Sequence, residues 1–170
     1  MKGSIDVESK LGEGTTFTIS IPMKITSEPK SSDEKTEKLA DISLAGMRVL
    51  LVEDNEMNRE IAGEILTDYD VEVEFAEDGD IAVEMVQNAK PGWYNLILMD
   101  IQLPRMDGYT ATKMIRAIDD KRLASIPIIA MTANAFEEDK QNAIKAGMNG
   151  HLGKPIDVEK LVDTLMEYIK

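Results

Sequence analysis

The chain has no cysteine, few basic side chains and no long hydrophobic run. Each lack removes a class of chemistry. Without cysteine there is no disulfide, zinc–thiolate site, iron–sulfur cluster or cysteine nucleophile, which suits a reducing compartment. The longest apolar stretches, such as IPIIAM at 126–131, fall far short of the roughly 20 residues that span a bilayer, and the N-terminus carries no signal-peptide pattern. A cytoplasmic location without membrane contact is expected. With 19 basic against 32 acidic residues the net charge is −13, which repels phosphate backbones and anionic lipid, so nucleic acid is not an expected partner. What is present suits a folded protein: 170 residues, 43% hydrophobic and 30% charged, enough for one domain with a real core plus an extra segment.

Residues 1–23 hold two alternating segments, Ile5 and Val7 in one and Phe17, Ile19 and Ile21 in the other, separated by the turn-like KLGEG. This predicts a β-hairpin, which is marginal alone and reads as part of something larger. Residues 24–45 are rich in Lys, Glu, Ser and Asp, the composition of a linker. From 46 to 170 short apolar runs alternate with amphipathic stretches. Strands are predicted at 47–52, 71–75, 96–99, 126–131 and around His151 and Leu152. Helical spacing follows each: Ile61, Ile65, Leu66 and Tyr69; Ile81, Ala82, Met85 and Val86; Ala111, Met114, Ile115 and Ile118; a helix from about Phe136 to a cap at Gly147; and Val158, Leu161, Val162, Leu165 and Ile169 behind an N-cap at Asp157. Five such units imply an α/β fold, a doubly wound five-stranded parallel sheet with helices on both faces, plus the N-terminal hairpin. The acid-rich EDNEMNREIAGE and EDGDIAVEMVQN lack the alternating ligands and central glycine of a calcium loop and are assigned to helix starts. The eleven methionines are expected to fill the core.

In such a sheet, ligands gather at the carboxyl ends of the strands. Just past the predicted strands stand Glu53 and Asp54, then Asp100, Thr132 and Lys154. Taken singly, acids after strands are commonly caps or turn formers. Taken together, three carboxylates at one rim would repel one another, and a hard divalent cation, Mg²⁺ (or Mn²⁺), resolves the conflict while accepting phosphate oxygens as further ligands. A lysine on the same rim would neutralise an incoming phosphoryl group. The set points to metal-assisted phosphoryl chemistry in which one carboxylate attacks phosphorus and forms an aspartyl phosphate.

The blocks VLLVEDNEMNREI, LILMDIQLPRMDG, PIIAMTANA and GHLGKPID resemble, in order, the signatures of response-regulator receiver domains over residues 46–170, in the style of hybrid sensor histidine kinases. KGSIDVESKLGEGTTFTISIP at 2–22 is similar to the last hairpin of the histidine-kinase ATP-binding domain. The resemblance implies a flavodoxin-like receiver fold, with Asp100 as phosphoacceptor and Mg²⁺ held by Glu53, Asp54, Asp100 and the backbone carbonyl of Gln102. It implies that Lys154 bridges to the phosphoryl oxygens beside a cis Pro155, and that Thr132 reports phosphorylation. Gln102 and Asn134 would tune hydrolysis. His151 stands where the family usually has Tyr or Phe; it is either a switch ring whose charge makes the response pH-sensitive or a half-exposed strand residue. The implied partners are a histidine kinase or histidine phosphotransfer domain, with a homodimer left open. Residues 1–23 supply no nucleotide-gripping loop or phosphorylated histidine, so no kinase activity is expected of this chain, nor is a DNA-binding output domain. Two alternatives compete. A haloacid-dehalogenase-like phosphohydrolase would want a second acid where Gln102 stands, and a non-phosphorylated interaction module would not need every site residue intact.

Overall fold

A computed structural model describes residues 3–12, 14–22, 42–133 and 137–168. The chain divides into two units, Met1–Ala40 and Asp41–Lys170. In the first, β1 (Ser4–Lys10) pairs antiparallel with β2 (Gly14–Ser20). Ile5 stands opposite Ile19 and Val7 opposite Phe17, so the alternation seen in the sequence becomes one apolar face.

The second unit contains β3 (Arg48–Val52), α1 (Glu56–Asp68), β4 (Glu72–Ala76), α2 (Gly79–Asn88), β5 (Leu96–Asp100), α3 (Gly108–Arg116), α4 (Lys121–Ala124), β6 (Ile128–Thr132), α5 (Glu137–Ala146), β7 (Gly150–Gly153) and α6 (Val158–Met166). The strands form one parallel sheet in the order β4-β3-β5-β6-β7. Packing on this unit starts ahead of β3: Leu44 is buried and its N–H donates to the Tyr69 carbonyl at 2.8 Å.

The period-two alternation of a strand divides the core. Val49, Leu51, Leu96, Leu98, Ile129, Met131 and Leu152 pack with Ala62 and Leu66 of α1 and Leu161 and Leu165 of α6. Leu50, Val52, Ile97, Met99, Ile128 and Ala130 pack with α2 and α3 on the other face. Both faces being covered, the central strands read as unbroken apolar runs, as parallel sheets require. Asn55 caps α1 by accepting from the Asn58 N–H, and Asp78 stands at the N-cap of α2, so both acid-rich segments are helix starts. Gly147 takes a positive φ of 98° just past α5, the conformation expected of a glycine cap.

Three details depart from expectation. The unit has a sixth helix, α4, whose single turn is too short to show a periodicity. Ile61 does not join the buried face of α1 but is 52% exposed, because the helix buries Ala62, Gly63 and Leu66 and leaves the flank of its apolar stripe open. The methionines split: Met47, Met99, Met131 and Met148 fill the core, while Met57, Met114 and Met166 are exposed. Phe136 and Ile169 lie outside the described residues.

Candidate functional site

The strand order places β3 between β4 and β5, so the chain runs from β3 to one side and crosses back from β4 to the other, which makes the carboxyl ends of β3 and β5 the switch point where ligands bind in such sheets. Glu53 follows β3 and Asp100 ends β5. Glu53 is in phase with Val49 and Leu51, Asp100 with Leu96 and Leu98, and Lys154 with Leu152; all three therefore continue the α1/α6 face of the sheet past its rim. Lys154 is set by a backbone bond from its N–H to the Thr132 carbonyl at 2.8 Å, and its bond to Pro155 is cis.

Glu53 and Asp100 are nearly fully buried, 2% and 6% exposed, whereas Asp54 is exposed. One oxygen from each of the three carboxylates lies within 4.8 Å of the others. The Lys154 ammonium donates to Asp100 Oδ2 at 2.6 Å and also to a carboxylate oxygen of Glu53. The Gln102 backbone N–H donates to Asp100 Oδ1 at 3.1 Å. Thr132 is buried at the end of β6, opposite Gly153. His151 is exposed on β7, an edge strand, opposite Ala130. The Gln102 residue is exposed; Asn134 lies outside the described residues.

The electrostatics are unbalanced. Three carboxylates facing one ammonium leave two negative charges when all are ionised. Burial pushes the Asp100 carboxyl above the ordinary range; the Lys154 and Gln102 hydrogen bonds pull it back only in part, and the Glu53 charge pushes it up again. Burial pulls the Lys154 ammonium down, but its two carboxylate partners more than reverse this and hold it above its usual value. The surplus charge and all-oxygen donor set fit a hard divalent cation, and exclude any preference for a thiolate- or imidazole-seeking metal.

A measurable consequence follows for stability. A carboxyl whose folded pKa lies above its unfolded value loses stability as pH rises through that range. In chelator at pH 7, Asp100→Asn should melt about 2–4 °C above wild type, the shift of roughly 1 kcal/mol in a domain near this size. The gap should close as pH falls toward the ordinary Asp value of 3.8, and Mg²⁺ should stabilise wild type more than the variant. Equal melting temperatures in chelator at pH 7 would contradict this account of the charge imbalance.

Three supporting groups escaped the sequence. Asn58 donates from Nδ2 to Glu53 Oε1 at 3.0 Å, and Arg59 donates to the Glu53 carbonyl at 2.8 Å, so the first turn of α1 orients the acid. Asn58 looks like an ordinary helix-start residue; its place four residues past Asp54 was the available signal. Gly108 packs so closely that a Cβ there would sit 2.2 Å from the Asp100 carbonyl oxygen. Beside the acids lies a pocket of about 410 Å³ lined by the apolar side chains of Ile61, Ala62, Pro155 and Ile156 together with Glu53 and Lys154.

A parallel five-stranded α/β unit with an acid cluster and a lysine at the carboxyl ends of its strands defines the receiver class. Comparison with known proteins agrees: the model of the response regulator receiver domain matches residues 49–166, and the chain belongs to that family. It is 38% identical over 168 residues to the Autoinducer 2 sensor kinase/phosphatase LuxQ of Vibrio vulnificus, covering 99% of this chain and 19% of that protein. The chain thus spans about a fifth of the length of that curated relative. Among solved structures, the receiver domain of sensor histidine kinase PA1611 from Pseudomonas aeruginosa, with a magnesium ion in its active-site cleft, is 40% identical with a TM-score of 0.66, covering 74% of this chain and 98% of that one. The receiver domain of Ssk1 from Saccharomyces cerevisiae, crystallised with the histidine phosphotransfer protein Ypd1, is 31% identical with a TM-score of 0.66, covering 72% and 88%. The chain is a two-component phosphorelay receiver. The phosphohydrolase alternative falls with that membership. No helix among the described residues is long and apolar enough to cross a membrane.

Proposed function

We propose that this receiver takes a phosphoryl group from a phosphohistidine onto Asp100. The observation that carries the proposal is the Lys154 ammonium 2.6 Å from the Asp100 carboxylate, within a cluster of acids too negative to be self-sufficient. A carboxylate oxygen of Asp100 forms the new bond to phosphorus, the bond from phosphorus to the donor imidazole breaks, and the electron pair returns to the ring nitrogen. The sheet holds Asp100 still, so its contribution is positioning. Lys154 turns from Glu53 and Asp100 to the transferred oxygens. Glu53, Asp54, Asp100 and the Gln102 carbonyl would hold the cation, Mg²⁺ or Mn²⁺; when bound, it offsets the surplus negative charge and that of the phosphoryl group.

Thr132 contacts the phosphoryl group and reports it, with His151 as the partner ring on the edge strand. Gln102 and Asn134 govern how slowly water, or an onward histidine, removes it. Residues 1–23 form the end of a histidine-kinase ATP-binding domain, 24–45 a linker and 46–170 the receiver, in a cytoplasmic hybrid kinase. The donor or acceptor is a histidine kinase or histidine phosphotransfer domain, and the apolar side chains of Ile61, Pro155 and Ile156 beside the acids offer it a surface to dock on. A second copy of the chain is the remaining candidate partner, read directly by sedimentation.

The test is transfer from a phosphorylated histidine phosphotransfer domain, followed by intact mass. One phosphoryl adduct that needs Mg²⁺, vanishes in chelator and is labile to hydroxylamine supports the proposal. A folded protein that gains none from any phosphohistidine donor refutes it.

A further inference from the structure

Asp78 is 1% exposed, yet takes no part in the acid cluster. It occupies the N-cap position of α2 without making a side-chain cap bond; Asp80 serves the Ile81 N–H instead, at 2.8 Å. Both Asp78 oxygens turn to a loop 27 and 28 residues further on: Oδ2 accepts from the Arg105 N–H at 3.0 Å and Oδ1 from the Met106 N–H at 2.9 Å. Two bonds from consecutive backbone groups to one carboxylate fix a peptide's orientation as well as its position. Arg105 closes the clamp from its side chain, donating to Asp80 at 2.9 Å and lying 3.6 Å from Asp78. Gly79 completes it, since a Cβ there would meet the Met106 carbonyl oxygen at 2.3 Å.

The clamped loop is the one that leaves Asp100. At its near end, the Gln102 N–H bonds Asp100 Oδ1; at its far end, the Gly108 N–H returns to the Ile101 carbonyl at 3.0 Å. The segment 101–108 is therefore a closed ring with the phosphoacceptor at its mouth and Asp78 as a brace at its middle. Although burial opposes ionisation, the two N–H bonds and the Arg105 charge hold the Asp78 carboxyl below its ordinary value, so the brace is an anion throughout the neutral range.

We propose that Asp78 is a positioning residue that sets the divalent-cation affinity of the acid site by holding the 101–108 loop against it. This rests on the reading that the acid cluster binds such a cation. Asp78 touches neither the cation's carboxylates nor the phosphoryl group; it acts through the Arg105 and Met106 amides. In Asp78→Asn one oxygen becomes an amide that faces a backbone N–H, and the loop loses half its brace.

The experiment is a calorimetric titration of the full chain with MgCl₂, beside a urea unfolding curve for each variant. Asp78→Asn should weaken Mg²⁺ binding about 10-fold, as loss of an outer support of a metal site does, and phosphoryl uptake should recover at saturating Mg²⁺. Arg105→Ala, which keeps both amides and removes only the side-chain closure of the clamp, should weaken Mg²⁺ binding less than Asp78→Asn does, and a larger loss than that of Asp78→Asn would overturn the role given to the amides. Wild-type affinity in a folded Asp78→Asn overturns the proposal. If that variant does not fold, wild type decides. Coupling is reciprocal, so Mg²⁺ must slow amide exchange at Arg105 and Met106, and unchanged exchange overturns it. A wild-type chain that binds no Mg²⁺ would instead refute the metal-site reading on which the proposal rests.

Discussion

Asp100→Asn will take up phosphoryl groups at least about 1,000-fold more slowly than wild type while remaining folded, the scale of losing a nucleophile outright. An amide does not attack phosphorus, and no neighbour replaces the carboxylate. Glu53 is 2% exposed and held by Asn58 and Lys154, and Asp54 stands in the loop past the end of β3, without the strand that fixes Asp100. Asp54→Asn makes the contrast. It removes an exposed acid from the cluster but leaves Asp100 in place, so its defect should be recovered by raising Mg²⁺. Intact mass after phosphotransfer reads both variants. Wild-type uptake by Asp100→Asn would move the acceptor elsewhere.

Gly108→Ala will cost about 3 kcal/mol, the upper end for forcing a methyl into a packed site, and will lose phosphoryl uptake with it. The new Cβ would fall 2.2 Å from the Asp100 carbonyl oxygen and 3.0 Å from the Met99 side chain. The first is backbone, so relief requires moving either the start of α3 or the strand end that carries Asp100. Asp107 pins the other side by capping α3, accepting from the Thr110 N–H at 2.8 Å. Gly153 is the internal comparison: a Cβ there meets nothing within 4 Å, so Gly153→Ala should be nearly neutral in stability. Urea unfolding separates the two. An unaltered midpoint for Gly108→Ala would show that the loop yields freely.

These effects explain what the sequence could and could not tell. LILMD reads as a strand because both faces of β5 are buried, and the acid that ends such a run is conspicuous against it. Glu53, Asp54 and Thr132 stand out for the same reason, each following an apolar run whose end must lie at the ligand-binding rim, whereas Lys154 follows the short GHLG strand and stands out only beside the other three. The brace was not. Asp78 looks like any N-cap, and its partners at 105 and 106 become neighbours only once β4 and β5 flank β3. Asn58 hid in the same way among helix-start residues. Ile61 was misassigned because periodicity reports which residues are apolar, whereas burial depends on what packs over them. One turn of α4 carries too few residues for any period to appear.

The most direct test of the account is to map the modified residue. The chain is phosphorylated from a phosphohistidine donor in Mg²⁺, reduced with borohydride, which converts an aspartyl phosphate to homoserine, then digested and sequenced by tandem mass spectrometry. Homoserine at position 100 alone, absent when Mg²⁺ is chelated, is the predicted result. Homoserine at position 54, or an intact Asp100 in a chain that has demonstrably gained a phosphoryl group, would contradict it.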